Sequence, residues 1–238
     1  MKERYAIIGR EEELSERLKA LIEATFDGLS VLSIPLIQAK GVDFQLPKTY
    51  EAEPIFLFTS PRAVSFFFDR AKLPAEAFAV SIGHATTRAL CQYGVEPHFT
   101  SSIESAHGMA PELLHFLKSR TAGCELVQPC SDIAGNYIEE YFGGIGIPFR
   151  KLVTYQVTPH PKLSESIHQL NSAPEWILFY SPSGVRAWSE ATEMRVPAFS
   201  IGPSTTKELQ KQGWTEIHQS VSPQKEAIIK TLTKNYFI

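Results

Sequence analysis

The chain carries one pattern twice, and a duplication restricts the possible folds more than any composition does. Phe56-Leu57-Phe58-Thr59-Ser60-Pro61-Arg62-Ala63-Val64 returns as Ile177-Leu178-Phe179-Tyr180-Ser181-Pro182-Ser183-Gly184-Val185, 121 positions later (181 − 60). Val80-Ser81-Ile82-Gly83-His84-Ala85-Thr86-Thr87-Arg88-Ala89-Leu90 returns as Phe199-Ser200-Ile201-Gly202-Pro203-Ser204-Thr205-Thr206-Lys207-Glu208-Leu209, 119 positions later (202 − 83). A glycine closes each copy, Gly94 and Gly213. Two blocks at nearly one offset predict a unit of about half the 238 residues, present twice. Function is then expected where two similar lobes face each other.

Short apolar runs alternate with amphipathic stretches. Strands are expected at Tyr5–Ile8, Val31–Ile34, Ile55–Phe58, Ala77–Ile82, Glu125–Gln128, Arg150–Val153, Trp176–Phe179 and Ala198–Ile201. Helices are expected at Glu12–Thr25, with Leu14, Leu18, Leu21 and Ile22 on one face, from Pro61, from about Ala85, at Ala110–Ser119, near Tyr137–Tyr141 and from about Pro223. This alternation predicts an α/β fold of parallel sheets covered on both faces. Pro35–Gln38 and Thr154–Val157 read as extended crossings without helices of their own. If both are linkers, residues 1–36 and 157–238 form one discontinuous lobe and residues 37–156 an inserted lobe, with a hinge near 35–39 and 153–157.

Composition excludes several classes. Hydrophobic residues make up 43% and charged residues 21%, ordinary for a soluble protein, and no apolar run is long enough to span a bilayer. A net charge of −3 with scattered Lys and Arg gives no field for nucleic acid. The N-terminal Met1-Lys2-Glu3-Arg4-Tyr5 lacks export features, so a cytoplasmic protein is expected. The three cysteines, Cys91, Cys124 and Cys130, and the seven histidines show no metal spacing; the cysteines are expected to be buried and no metal is expected.

Chemistry therefore rests on the repeated turns. In each first block a strand runs into a hydroxyl residue and proline, where Ser60 or Ser181 caps a helix and Pro61 or Pro182 gives up no needed donor. Such a turn, with its free amides and positive dipole end, accepts carboxylate or phosphate. The second blocks place Gly83 and Gly202 at the turn and add Thr86 and Thr205 as hydroxyl donors. Arg62, Arg88, Arg186 and Lys207 lie on or after these turns and can pair with a ligand carboxylate. Each turn taken singly also reads as a folding signal only. Four turns in a duplicated frame, at the carboxyl ends of parallel strands, favour a site for a polyanion. Neither phosphate-loop nor dinucleotide glycine spacing occurs in them.

Thr59-Ser60-Pro61-Arg62-Ala63, Ile82-Gly83-His84-Ala85-Thr86, Pro129-Cys130, Val153-Thr154-Tyr155-Gln156, Phe179-Tyr180-Ser181-Pro182-Ser183-Gly184 and Ile201-Gly202-Pro203-Ser204-Thr205-Thr206 follow in an order and spacing that resembles the uroporphyrinogen-III synthase family. The resemblance runs over essentially the whole chain. It implies two flavodoxin-like parallel-sheet lobes joined by a two-stranded linker. It also implies a cofactor-free reaction in which linear hydroxymethylbilane closes to uroporphyrinogen III, losing water and inverting ring D. Tyr155 matches the family's linker tyrosine and is the implied catalytic residue, near the leaving hydroxyl. Thr59, Ser60, Arg62, Thr86, Ser181, Ser183, Gly202 and Thr205 are the implied substrate contacts. A monomer with transient contact to hydroxymethylbilane synthase is expected. The chain departs from the family pattern at Gly9-Arg10-Glu11, where relatives show Arg-Pro, and at Ser131, where Gly is common. A two-lobed anion-binding protein without catalysis is the alternative, and a phosphosugar isomerase a third reading.

Overall fold

The computed structural model describes residues 4–118 and 123–236. The chain divides into two compact units, residues 1–38 with 158–238 and residues 39–157. The first holds β1 (Arg4–Ile8), α1 (Glu12–Thr25), β2 (Leu29–Ser33), α6 (Leu163–His168), β9 (Ile177–Phe179), α7 (Pro182–Ala191), β10 (Ala198–Ser200), α8 (Pro203–Lys211), β11 (Ile217–Gln219) and α9 (Lys225–Tyr236). The second holds β4 (Glu53–Phe58), α2 (Pro61–Phe68), β5 (Phe78–Ile82), α3 (Gly83–Gln92), β6 (Phe99–Ser101), α4 (Ala106–Lys118), β7 (Cys124–Ser131) and α5 (Tyr137–Gly143). Two strands, β3 (Ile37–Gly41) and β8 (Phe149–Pro159), cross the division and are neighbours in the sheet order.

The first unit's strands lie in the order β2-β1-β9-β10-β11 and the second unit's in the order β8-β7-β4-β5-β6, after which β3 adds at the β8 edge. Within each set of five, neighbouring strands run parallel. The repeat aligns β4 with β9 and β5 with β10, so β6 corresponds to β11, β7 to β1 and β8 to β2. The two units thus share one spatial order, that of flavodoxin, with the chain entering the second unit at its third position. Duplication and insertion together amount to a circular permutation. This is why the repeated blocks fall mid-way in one half and late in the other.

Each sheet is buried on both faces. Ile7 packs with Val185, Trp188 and Leu209 on one side, while Ala6 and Ile8 pack with Leu18, Ile22, Ile228 and Leu232 on the other. In the second unit Ile55 and Leu57 face Leu113, Ile138 and Phe142, and Phe56 and Phe58 face Val64, Phe67 and Leu90. Apolar side chains at successive positions of the central strands satisfy both layers of helices.

Several expected features differ. The buried stripe of α1 is Ser15, Leu18 and Ile22, and Leu14 and Leu21 are 52% and 40% exposed. The stripe shifts because Ser15 turns inward to bond Ser33 Oγ at 2.8 Å and the Glu11 carbonyl at 2.6 Å. Helix α4 begins at Ala106, four residues before the expected start, since Ser105 Oγ accepts the Gly108 N–H at 3.2 Å and Pro111 is carried inside the helix. Its expected end, Ser119, lies outside the described residues, as do Met1 to Glu3. Cys130 is buried, but Cys91 is exposed on α3 and Cys124 half-buried at a strand start.

Candidate functional site

The second unit has a cleft of about 360 Å³ at the carboxyl ends of β4, β5, β7 and β8. Its wall includes Thr59, Ser60, Ile82, Gln128, Cys130, Ser131 and Tyr155, with Glu104, Ser105 and Tyr137 from the loop before α4 and from α5. Open parallel sheets bind ligands at this end, where turns leave polar groups uncovered.

Tyr155 reaches the cleft because of a register fault. Cys130 pairs with Val153 but Ser131 pairs with Tyr155, so β8 carries one extra residue there. A bulge of this kind re-aims the side chains beyond it. Thr154 takes the covered position, its hydroxyl 3.4 Å from the Cys130 carbonyl, and the Tyr155 ring stacks on Phe66 at 4.9 Å between centroids. The backbone is pinned by Asp132, whose N–H donates to the Tyr155 carbonyl at 3.1 Å and whose carboxylate accepts the Val157 N–H at 3.0 Å. Tyr155 is 8% exposed, and its hydroxyl has no hydrogen-bond partner among the described residues.

Cys130 does not supply a nucleophile. Burial pushes its thiol up to about 11, so at neutral pH it is protonated. Gln128 is 4% exposed; its Nε2 lies 3.4 Å from Thr59 Oγ1, and its Oε1 has no partner among the described residues. Among those residues no Lys or Arg lines the cleft, and Glu104 is its one carboxylate.

The repeated turns resolve into two kinds. Ser60 and Ser181 adopt nearly the same backbone, φ −160° and −162°, and each caps its helix by accepting an N–H three residues on, Ala63 or Gly184, at 3.1 Å. The next amide, of Val64 or Val185, bonds the serine carbonyl. Proline has no N–H, so each turn keeps a single uncommitted amide, that of Arg62 or Ser183. The expectation of several free donors there is corrected: the cap itself consumes them. In the second blocks the adjacent threonines do the bonding. Thr87 Oγ1 lies 2.8 Å from Ser81 Oγ, and Thr206 Oγ1 2.6 Å from Ser200 Oγ, fastening helix to strand in each unit.

Thr59, Ser60 and Tyr155 are therefore brought together at one cleft. Arg62, two residues after Ser60, is exposed. Thr86 and Thr205 are 2% and 3% exposed and turn into the packing, so their side chains do not present donors at the surface. In the first unit Ser181 and Ser183 share a hydrogen bond of 2.9 Å, and Gly202 starts α8 in an extended conformation, φ 174°. Arg186 is held by Glu208 at 3.0 Å. There the Arg10 guanidinium lies 4.9 Å over the Tyr180 ring; burial raises the Tyr180 phenol above its ordinary range, and Arg10 opposes the shift. Sequence reasoning does not single out Gln128, Glu104, Tyr137 or the Arg10–Tyr180 pair as contacts. An amide inside the apolar run Leu126-Val127-Gln128-Pro129 is the signal that could have drawn attention to Gln128.

The family model described as uroporphyrinogen-III synthase HemD matches residues 16–230. The chain belongs to the uroporphyrinogen-III synthase family. Among solved structures, the uroporphyrinogen-III synthetase of Helicobacter pylori superposes with a TM-score of 0.69 at 19% identity, covering 97% of this chain and 99% of that one. A uroporphyrinogen III synthase from Thermus thermophilus, a substituted form, gives 0.60 at 18% identity, covering 97% and 98%. At such identities the likeness speaks for the fold, and the family assignment rests on the sequence match. Among the described residues no helix is long and apolar enough to cross a membrane.

Proposed function

We propose that this protein cyclises hydroxymethylbilane to uroporphyrinogen III, with its two units as domains, without a cofactor, as a cytoplasmic monomer that takes substrate from hydroxymethylbilane synthase by transient contact. The observation that carries the reading is the unpartnered Tyr155 hydroxyl, delivered by a bulge to the wall of a cleft in a member of this family. The reaction needs little from the protein in the way of acids and bases. The carbon–oxygen bond of the hydroxymethyl group breaks, and the departing oxygen takes a proton and leaves as water. The exposed methylene carbon is then attacked by the substituted carbon of ring D. The spirocyclic product fragments, recloses inverted and loses a ring proton. Tyr155 serves by holding the leaving oxygen. Folding the bilane so that the substituted carbon attacks first is positioning catalysis.

Thr59 and Ser60 at the cleft and Arg62 beside it support contacts to the substrate's carboxylate arms in the second unit; Ser181, Ser183 and Gly202 do so in the first. Backbone amides carry the contacts assigned to Thr86 and Thr205. The test is to generate hydroxymethylbilane in situ with its synthase, add this protein and separate the oxidised uroporphyrin isomers. Isomer III should dominate. Isomer I at the level seen without protein would leave a binding protein of the same fold as the better reading.

A further inference from the structure

The cleft in the second unit is built to receive a hydrogen-bond donor, contrary to the anion-binding character that its repeated turn suggests. Gln128, in the middle of β7, is 4% exposed and lines the cleft, and its Oε1, itself almost without accessible surface, has no partner among the described residues. An acceptor left unmade in a buried site costs about 1–3 kcal/mol, so its persistence calls for a donor supplied from outside the protein. The surroundings agree on the sign of that donor. Among the described residues the wall contains no Lys or Arg, and it includes the Glu104 carboxylate and the rings of Tyr137 and Tyr155. The cap of α2 spends its Ala63 amide on Ser60, which leaves little for an anion. A carboxylate arm would meet hydroxyls here, those of Thr59 and Ser60 among them, but no cation among the described residues. An electron-poor ring bearing an N–H would find an acceptor, a negative charge and two π faces.

Resting on the proposed reaction, we infer that Gln128 Oε1 accepts the pyrrole N–H of the ring that carries the hydroxymethyl group. Loss of the hydroxyl leaves positive charge on that ring and makes its N–H more acidic. The bond to Oε1 therefore strengthens as the carbon–oxygen bond breaks, which lowers the barrier as well as aiding binding. Gln128 Nε2 lies 3.4 Å from Thr59 Oγ1, a contact that leaves Oε1 as the free end of the amide, which a small side-chain turn brings to the ligand.

Two substitutions test this in the full-length protein with hydroxymethylbilane generated in situ. Gln128→Met keeps the volume and removes the acceptor. It should raise the melting temperature, because an unsatisfied polar group is gone, while lowering kcat/KM about tenfold, mostly through kcat. Gln128→Asn keeps a neutral amide acceptor on a shorter side chain, and its kcat/KM should lie between those of the parent and Gln128→Met. Melting curves of both variants establish that they are folded. A Gln128→Met protein with parental kcat/KM overturns the assignment. So does a Gln128→Met protein whose whole loss lies in KM, since that pattern means the contact is made equally before and at bond breaking. If the parent protein itself makes no isomer III, the reaction is wrong, and that result precedes any variant.

Discussion

The two glycines that occupy equivalent places in the repeat should differ in their response to alanine, one destabilised and the other nearly neutral. Gly83 has φ +71°, in the left-handed region, and a Cβ there would meet Glu104 Oε1 at 2.5 Å. Gly202 has φ 174°, and a methyl group added there would meet nothing within 4 Å. An L-residue forced left-handed costs about 1–2 kcal/mol. The contact adds little, because Glu104 is exposed and its carboxylate can swing away. At about 2–4 °C per kcal/mol for a protein of this size, Gly83→Ala should lower the melting temperature by about 2–8 °C. For Gly202→Ala two small effects oppose: alanine is a poorer helix cap than glycine, but it stiffens the unfolded chain. The net should stay within about 0.5 kcal/mol, the sum of two such small terms. Thermal unfolding of both variants, followed by circular dichroism, reads the difference. Adding Glu104→Ala to Gly83→Ala should recover only a few tenths of a kcal/mol. Equal losses at the two glycines, or full recovery with Glu104→Ala, would refute the conformational argument.

Other outcomes follow from single contacts. Tyr155→Phe should leave melting unchanged and slow isomer III formation about tenfold, since one positioned hydrogen bond is lost; a parental rate in stopped assays removes Tyr155 from the mechanism. Glu125 is 2% exposed and bonds Arg150 Nε at 3.0 Å and the Glu51 N–H at 2.8 Å, so Arg150→Ala strands a buried carboxylate and should cost about 3 kcal/mol in urea unfolding, whereas Glu125→Gln with Arg150→Ala should cost less. Hydroxyls of Ser101 and Ser102 hold the Glu112 carboxyl below its ordinary 4.5. A depressed carboxyl contributes stability above its unfolded-state value and loses it as pH falls through the lower folded value, so Ser101→Ala should move the Glu112 titration upward in carbon-13 spectra and narrow that acid window.

The parallel α/β architecture can be read from the sequence because its central strands are runs of mostly apolar residues and its helices have one apolar stripe. Glycine also marks helix ends faithfully: Gly94 and Gly213 have φ +75° and +82°, and the next amide, of Val95 or Trp214, reaches back to Leu90 or Leu209. The three-residue strands Phe99–Ser101 and Ile217–Gln219 and the six-residue helix Leu163–His168 are too short to show a period, and no sequence pattern announces them. The site is harder to read. Hydroxyl-rich turns advertise their residues, but not whether a hydroxyl faces outward, as the inward Thr86 and Thr205 show. Family resemblance points to Tyr155; the bulge that aims it depends on register between β7 and β8, which no local pattern encodes. The apolar run around Gln128 marks it only as an odd residue in a strand, because an unsatisfied acceptor exists only once the partners around it are known.

The central claim, that this fold steers ring closure by positioning, meets its most direct test in the isomer ratio as a function of protein concentration. With hydroxymethylbilane supplied at a constant rate, the fraction of isomer III should climb from the spontaneous background to near completeness and saturate. A fraction of isomer III that stays at background across the whole range would contradict it.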